Sequence, residues 1–386
     1  MVVAAAFILM FVGFGAAYSF AAFFTAFQSE FGASRAHVAL VFSVAAFAWF
    51  IFGAPAGVLA DRIGPRRVAV CGIACLVGAL WLASVAGSVG MLYVTYSVGI
   101  GIGVGLVYVP SVGAVQPWFG ANRALASGLA VAGIGAGNFA VPLLAAWWIE
   151  LYGWRNAFVG LAVFALVLGG VAALAIDAPA RESAAARAGT PLQEALRSHE
   201  FALLYAAMVF SCIGIFVPMV HIAPFAQDLG YSEAQGVALV SLIGLGSLIG
   251  RFTVGPFADR FGRRRSLVAL CAALGVMQLI WWGAGAYWVL ALFATVFGMC
   301  YGSTVALLPT IVMDLYGARA VSGITGFLYT GAGIGTLIGP WLAGAAYDAL
   351  GTYDVPILAG AAFAFAAALS GLPLVKSEKA QVVHRR

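Results

Sequence analysis

The chain has 386 residues, 63% of them hydrophobic and only 9% charged, with a mean hydropathy of +1.04. Soluble domains carry about 25% charged residues, so this balance excludes an ordinary soluble domain and points to a polytopic membrane protein. The formal net charge of +5 does not imply nucleic acid as a partner, because it has a topological origin.

In chain order, twelve apolar runs reach the roughly 20 residues that a membrane span needs. They cover about 3–27, 36–60, 68–86, 91–116, 124–147, 156–176, 200–227, 233–257, 266–284, 288–313, 320–346 and 355–374. The first, from Val2 to Phe27, has no basic start and no A-x-A site, and reads as a retained span. The polar stretch Asp177–Glu200 divides the runs six and six. The expected organisation is an N-terminal six-helix bundle over 1–176, a linker over 177–199, a C-terminal six-helix bundle over 200–376 and a tail over 377–386.

Of the nineteen Lys and Arg residues, sixteen lie in loops after even-numbered spans, in the linker (Arg181, Arg187, Arg197) or in the tail. Arg35 and Arg155 lie in the opposite loops, and Arg251 alone lies inside a span. By the positive-inside rule both termini are cytoplasmic, in a plasma-membrane protein. The five cysteines (Cys71, Cys75, Cys212, Cys271, Cys300) all fall in apolar runs, which argues against a disulfide framework. Cys71 and Cys75 have no His or carboxylate beside them, so no metal site is read there.

The two halves repeat at an offset of 198 residues. Gly57–Arg67, "GVLADRIGPRR", returns as Gly255–Arg265, "GPFADRFGRRR"; "GIGAGN" followed by Pro142 returns as "GAGIGT" followed by Pro340. Trp118–Ala124, "WFGANRA", has a counterpart in Leu315–Val321, "LYGARAV". Six spans separate the copies, so both halves share one orientation. Parallel repeats imply two bundles related by an axis along the membrane normal.

With its paired G-x-x-x-D-R-x-G-(P/R)-R-R loops after spans 2 and 8, the chain resembles the major facilitator superfamily over essentially its whole length. That resemblance implies an all-α membrane protein with twelve transmembrane helices in two parallel-repeat six-helix bundles, acting as a transporter. It also implies a gating role for Asp61, Arg62, Arg66, Asp259, Arg260 and Arg263, the arginines engaging carboxylates or helix C-termini when the inner side closes. Within the superfamily, Val217–Ser232 ("VPMVHIAPFAQDLGYS") with Arg251, "WRNAF" and "YVPSVGAVQPWF" resemble the monocarboxylate transporter group. This group includes bacterial lactate and pyruvate carriers and the oxalate–formate exchanger. Animal members carry an Asp four residues before the span-8 arginine and a Lys in the first span. Here Ser247 takes the first place and the first span has no Lys.

Arg251 lies eight residues before Asp259, about 12 Å inside its helix at ~1.5 Å per residue, close to the middle of a core about 30 Å thick. Its repeat mate is Gly53, so symmetry does not demand a cation there. All fourteen Asp and Glu residues sit at span ends or in loops. A substrate carboxylate is therefore its expected partner; the alternative is an arginine tied to backbone carbonyls. His221, between Pro218 and Pro224, is the mid-span group whose ordinary pKa of ~6.5 suits proton exchange, unless it is a packing residue. Tyr108, Tyr301, Tyr329 and Asn138 are further substrate candidates, each equally readable as an interhelical hydrogen bond. Ser247, one turn from Arg251, shares its face; Tyr18, Phe14 and Ser111 rank lower.

The glycine runs Gly99–Gly105 and Gly331–Gly335 lie inside spans with no strand before them, which excludes nucleotide loops. No P-loop, metal cluster or nucleophile–base pair is present, so neither an enzyme nor a cofactor is expected. The leading reading is a monomeric secondary transporter of the lactate/pyruvate type, moving a small monocarboxylate with a proton across the lipid bilayer. Anion exchange of the oxalate–formate type is the alternative, although span 11 lacks the Lys that exchanger carries. Drug efflux lacks the intramembrane carboxylate it would need, and nothing supports a receptor.

Overall fold

A chain that crosses lipid has to pair every backbone N–H and C=O internally, which an α-helix achieves within one segment. The computed structural model describes residues 1–115, 118–119, 123–177, 189–317 and 319–384, and they are all-helical apart from short turns and one isolated bridge, Gly189 with Gly317. Arg181, Arg187, Arg385 and Arg386, most of the linker, and the centre of the Trp118–Ala124 repeat fall outside the described residues.

The first half comprises α1 (Val2–Tyr18), α2 (Phe20–Phe31), α3 (Arg35–Ile63), α4 (Pro65–Ser84), α5 (Val89–Leu92), α6 (Gly99–Val115), α7 (Arg123–Phe164) and α8 (Gly170–Ala175). Two π-helical segments, Tyr93–Val98 and Ala165–Gly169, join α5 to α6 and α7 to α8. The second half comprises α9 (Leu192–Leu196), α10 (His199–Asp228), α11 (Glu233–Phe261), α12 (Arg263–Trp282), α13 (Tyr287–Tyr316), α14 (Val321–Leu350) and α15 (Asp354–His384). Serine hydroxyls cap α3, α10 and α11 by accepting from the N–H groups of His37, Phe201 and Gln235. On α11 the Gln235 side chain also returns to the Ser232 N–H, completing a capping box.

Ten runs among the described residues are long and apolar enough to cross a membrane, against the twelve expected. The expected fifth and sixth spans form one run, Ala126–Ala175, of 50 residues. At ~1.5 Å per residue that is about 75 Å of helix, far more than a bilayer core of about 30 Å. Gly153 interrupts it, with φ 76° and ψ 161°, a conformation open mainly to glycine. The expected eleventh span is the glycine-rich α14, which is not one of the ten.

The halves meet along two helix pairs, α3 with α14 and α7 with α11. Helix α11 is pressed on its other side against α13, and small residues set that spacing. A methyl on Gly246 or Gly250 would run into the backbone of Thr295 or Met299, and one on Gly298 or Gly302 into that of Ile243 or Ser247. These four glycines, spaced by four on each helix, fix how α11 presents Arg251. Gly250→Ala is therefore expected to destabilise the protein by about 1–3 kcal/mol through overpacking. Gly78→Ala, where an added methyl meets nothing within 4 Å, should be neutral or slightly stabilising. Thermal unfolding of the purified variants in detergent compares the two.

Candidate functional site

A cavity of about 60 Å³ lies where the halves face each other. The first half contributes Phe14 and Tyr18 of α1, Phe50 of α3, Tyr108 of α6 and Ile134 of α7. The second half contributes Met208, Cys212 and Phe216 of α10, Arg251 of α11, Cys271 of α12, Tyr301 and Thr304 of α13 and Tyr329 of α14, with aliphatic neighbours. Arg251 is the one charged residue among the described residues of this wall. Its exposure is 9%, and Nε, Nη1 and Nη2 are all buried with no hydrogen-bond partner among the described residues. Leaving a guanidinium with three unpaired nitrogens in an apolar setting is costly.

Two tyrosine pairs cross from one half to the other at the cavity. The hydroxyls of Tyr18 and Tyr301 are 3.0 Å apart and those of Tyr108 and Tyr329 are 3.3 Å apart. All four tyrosines line the cavity together with Arg251. Phe14 meets Tyr108 edge-on at 5.3 Å between centroids, and Phe216 meets Tyr301 edge-on at 6.3 Å. The cavity thus brings Arg251, Tyr108, Tyr301 and Tyr329 together as expected candidates, and adds Tyr18 and Phe14, which ranked lower. Phe50 and Phe216 were missed. The repeat offers a signal for Phe50, because the offset that maps Arg251 onto Gly53 maps Leu248 onto Phe50.

Three expected site residues lie elsewhere. Asn138 is buried where α7 meets α11, its Nδ2 3.9 Å from the Met219 sulfur and its backbone against Gly244. Ser247 faces the α13 seam against Gly302, wholly buried. His221 is on α10 but outside the cavity wall, and both its ring nitrogens are engaged. On the same helix Phe216 lines the cavity, and His221, read from the sequence as a substrate and proton-exchange candidate, sits five residues further along, about 7 Å at ~1.5 Å per residue.

His221 belongs to a polar network at the end of the molecule away from the linker. Nε2 lies 2.8 Å from the Pro340 carbonyl and Nδ1 3.0 Å from the Tyr353 hydroxyl. A carbonyl only accepts, so Nε2 carries the proton. Arg35 donates to the Tyr353 hydroxyl at 2.8 Å and grips Asp228 with both terminal nitrogens, at 2.6 and 2.7 Å. In the neutral imidazole Nδ1 then accepts from the Tyr353 hydroxyl. Asp348 accepts from the N–H groups of Arg35 and Ala36 at 3.0 and 2.9 Å, and the Arg35 guanidinium stacks 3.8 Å over Tyr347. Arg35 starts α3 in the first half; all its partners come from the second. Among the described residues it forms the one ion pair joining the halves.

At the linker end, Arg66, Arg260 and Arg263 make contacts within their own half. Arg66 reaches the Ile176 carbonyl at 3.3 Å and Asp177 at 3.6 Å. Arg263 bridges Asp259 and Asp314 at 3.0 and 2.9 Å. Arg260 stacks on Phe261 at 5.7 Å, while Asp61 and Arg62 are exposed at the α3–α4 turn.

A chain that crosses the membrane repeatedly, in two sequence-related halves that enclose a central cavity, has the make-up of a membrane carrier. The sequence profile of the Major Facilitator Superfamily matches residues 5–244 and 201–385, and the chain belongs to that family. It is a multi-pass membrane transporter, not an enzyme. It is similar to monocarboxylate transporter 13 of Rattus norvegicus, at 31% identity over 95% of this chain and 86% of the relative. The Bos taurus transporter of that name is 30% identical over 95% and 87%, and the MFS-type transporter opdF of Penicillium oxalicum is 29% identical over 89% and 82%.

If the Arg35 network holds the far end shut, Arg35→Ala should open it. Labelling of Cys212 and Cys271 by a membrane-impermeant thiol reagent applied from that side is expected to accelerate by roughly tenfold, the equivalent of ~1.4 kcal/mol. Cys71, near the linker end of α4, is expected to stay unlabelled from that side and reports leakage, and peptide mass spectrometry reads each site.

Proposed function

We propose that the chain is a secondary transporter that moves a small monocarboxylate of the lactate/pyruvate type together with a proton, by alternating access to the cavity at Arg251. The observation that carries this reading is the buried guanidinium with three unpartnered nitrogens in an otherwise uncharged cavity between the halves. An arginine at the bilayer centre costs about 2.5–3.5 kcal/mol on insertion scales. A carboxylate arriving as ligand would supply two charge-assisted, parallel hydrogen bonds. The names of the relatives support the same substrate class. One cation in the wall favours one carboxylate over the dicarboxylates of an oxalate–formate exchanger.

In this reading twelve spans form two six-helix bundles, over 1–176 and 200–376, joined by the linker 177–199 and followed by a tail over 377–386. Gly153 is the turn between the fifth and sixth spans and α14 is the eleventh. The protein is a monomer in the plasma membrane, with both termini and the linker in the cytoplasm. The Arg35 network then closes the outer side. The loops holding Asp61, Arg62, Arg66, Asp259, Arg260 and Arg263 make the cross-half contacts when the inner side closes in turn, as the halves rock about the cavity.

Arg251 anchors the carboxylate, and Tyr108, Tyr301 and Tyr329 shape its surroundings. Asn138 and Ser247 hold α11 in place rather than touching the acid. His221 couples the proton through the outer closure. A proton on Nδ1 removes the acceptor of the Tyr353 hydroxyl and sets a second cation near Arg35, which loosens the closure. One anion moving with one proton carries no net charge, so the cycle runs on the two gradients, one pH unit supplying about 1.36 kcal/mol.

Uptake of labelled lactate, pyruvate, acetate and oxalate into proteoliposomes, with and without an imposed pH gradient, tests both roles. Arg251→Ala is expected to abolish monocarboxylate flux, and parental rates in that variant would remove the anchor. His221→Ala is expected to keep flux down a substrate gradient but lose its acceleration by the pH gradient. Full pH-driven uptake in that variant would refute the coupling role.

A further inference from the structure

The polar groups of the cavity wall are few, and the structure commits most of them. Each tyrosine pair uses one hydroxyl proton internally, in Tyr18–Tyr301 and Tyr108–Tyr329, and leaves one to donate. All four tyrosines line the same cavity as Arg251, so the two remaining donors are available to the anionic group that meets the guanidinium. A carboxylate offers about four lone-pair sites: two match the guanidinium and two match the phenols. Of the aliphatic hydroxyls in the wall, Thr304 donates to the Cys300 carbonyl at 2.9 Å, while the Ser211 hydroxyl is buried without a hydrogen-bond partner among the described residues.

What remains for the body of a ligand is ring and sulfur surface. Phe14, Phe50 and Phe216 have no polar atom, and Met208 and Cys212 present polarisable sulfur, which makes favourable contacts with aromatic rings. The wall that a ligand meets is almost wholly apolar. A ligand hydroxyl or keto oxygen placed against those rings would lose its water and find no partner among them, and burying such a group unpaired is unfavourable. A methylene or aryl group placed there gains by leaving water.

We infer that the cavity selects monocarboxylates with a plain alkyl or aryl body over short hydroxy and keto acids of the same length. The inference rests on the proposed pairing of a carboxylate with Arg251 and departs from the lactate/pyruvate part of that proposal: those two acids carry a polar oxygen that the ring and sulfur surface does not pair.

Matched acids that differ by one group provide the test. Displacement of labelled phenylacetate from the purified, detergent-solubilised full chain is measured at pH 7, where all the acids are anions. The competitors are acetate, propionate, butyrate, hexanoate, lactate and 3-hydroxybutyrate. Arg251→Gln, checked for a monodisperse elution profile, defines the Arg251-dependent part and removes partition into the micelle. Arg251→Lys, which keeps the charge, is expected to retain part of the displacement.

Each added methylene is expected to tighten binding by about fourfold. Lactate is expected to bind about tenfold more weakly than propionate, and 3-hydroxybutyrate about tenfold more weakly than butyrate. Lactate equal to or tighter than propionate, or no gain from acetate to hexanoate, would overturn the selectivity while leaving the carboxylate anchor in place. Displacement by none of the acids, or equal displacement in Arg251→Gln, would bring down the anchor itself and this inference with it.

Discussion

A guanidinium without a partner in the middle of an apolar helix is the constraint around which this protein is arranged. Arg251 is buried, its three nitrogens lack hydrogen-bond acceptors among the described residues, and water is costly to recruit at that depth. Every element near it keeps it in place without neutralising it. The glycine seam between α11 and α13 leaves no slack for the helix to rotate. Cavity-lining aromatic rings contribute bulk and, through the tyrosines, neutral hydroxyls instead of a counter-charge. In the proposed function, the partner it lacks is one that comes and goes.

The second organising feature lies at the other end of α10. Arg35, Asp228, Tyr353, His221 and the Pro340 carbonyl form a continuous series of hydrogen bonds in which each donor is used in one direction. Such a series tolerates no extra proton without reversing a bond. Burial pushes the Tyr353 phenol above its ordinary range, so it acts as a relay of hydrogen-bond direction rather than as an acid. In the proposed cycle, Arg251 senses the anion and this network senses the proton. Helix α10 connects them, with Phe216 in the cavity wall and His221 in the network.

Much of this was legible in the sequence because membrane constraints are simple. Apolar runs, the offset of 198 residues and the paired Asp-Arg-Gly loops report hydrophobic length and gene-level repetition, and neither needs side-chain geometry. Arg251 stood out because a lone charge in a span has no cheap explanation. The number of crossings was less secure: one glycine, Gly153, decides how the run Ala126–Ala175 is divided. His221, Asn138 and Ser247 were drawn to the cavity because they are polar and mid-helix, but a helix has several faces. The face is set by neighbours such as Gly244, Gly302 and Tyr353, which pattern alone does not reveal. Arg35 was missed although a signal existed. Arg35 and Arg155 are the two exceptions to the basic-loop bias, and both are held by carboxylates, Asp228 and Glu30, at 2.6 and 2.9 Å.

The central claim is that the partner Arg251 lacks is the carboxylate of a transported acid. A structure of the full chain determined with a bound monocarboxylate such as butyrate tests it most directly. The account expects the two carboxylate oxygens at about 2.7–2.9 Å from two guanidinium nitrogens of Arg251, with the alkyl body against Phe14, Phe50 and Phe216. A carboxylate bound away from Arg251, with the guanidinium turned onto backbone carbonyls of its own bundle, would contradict it.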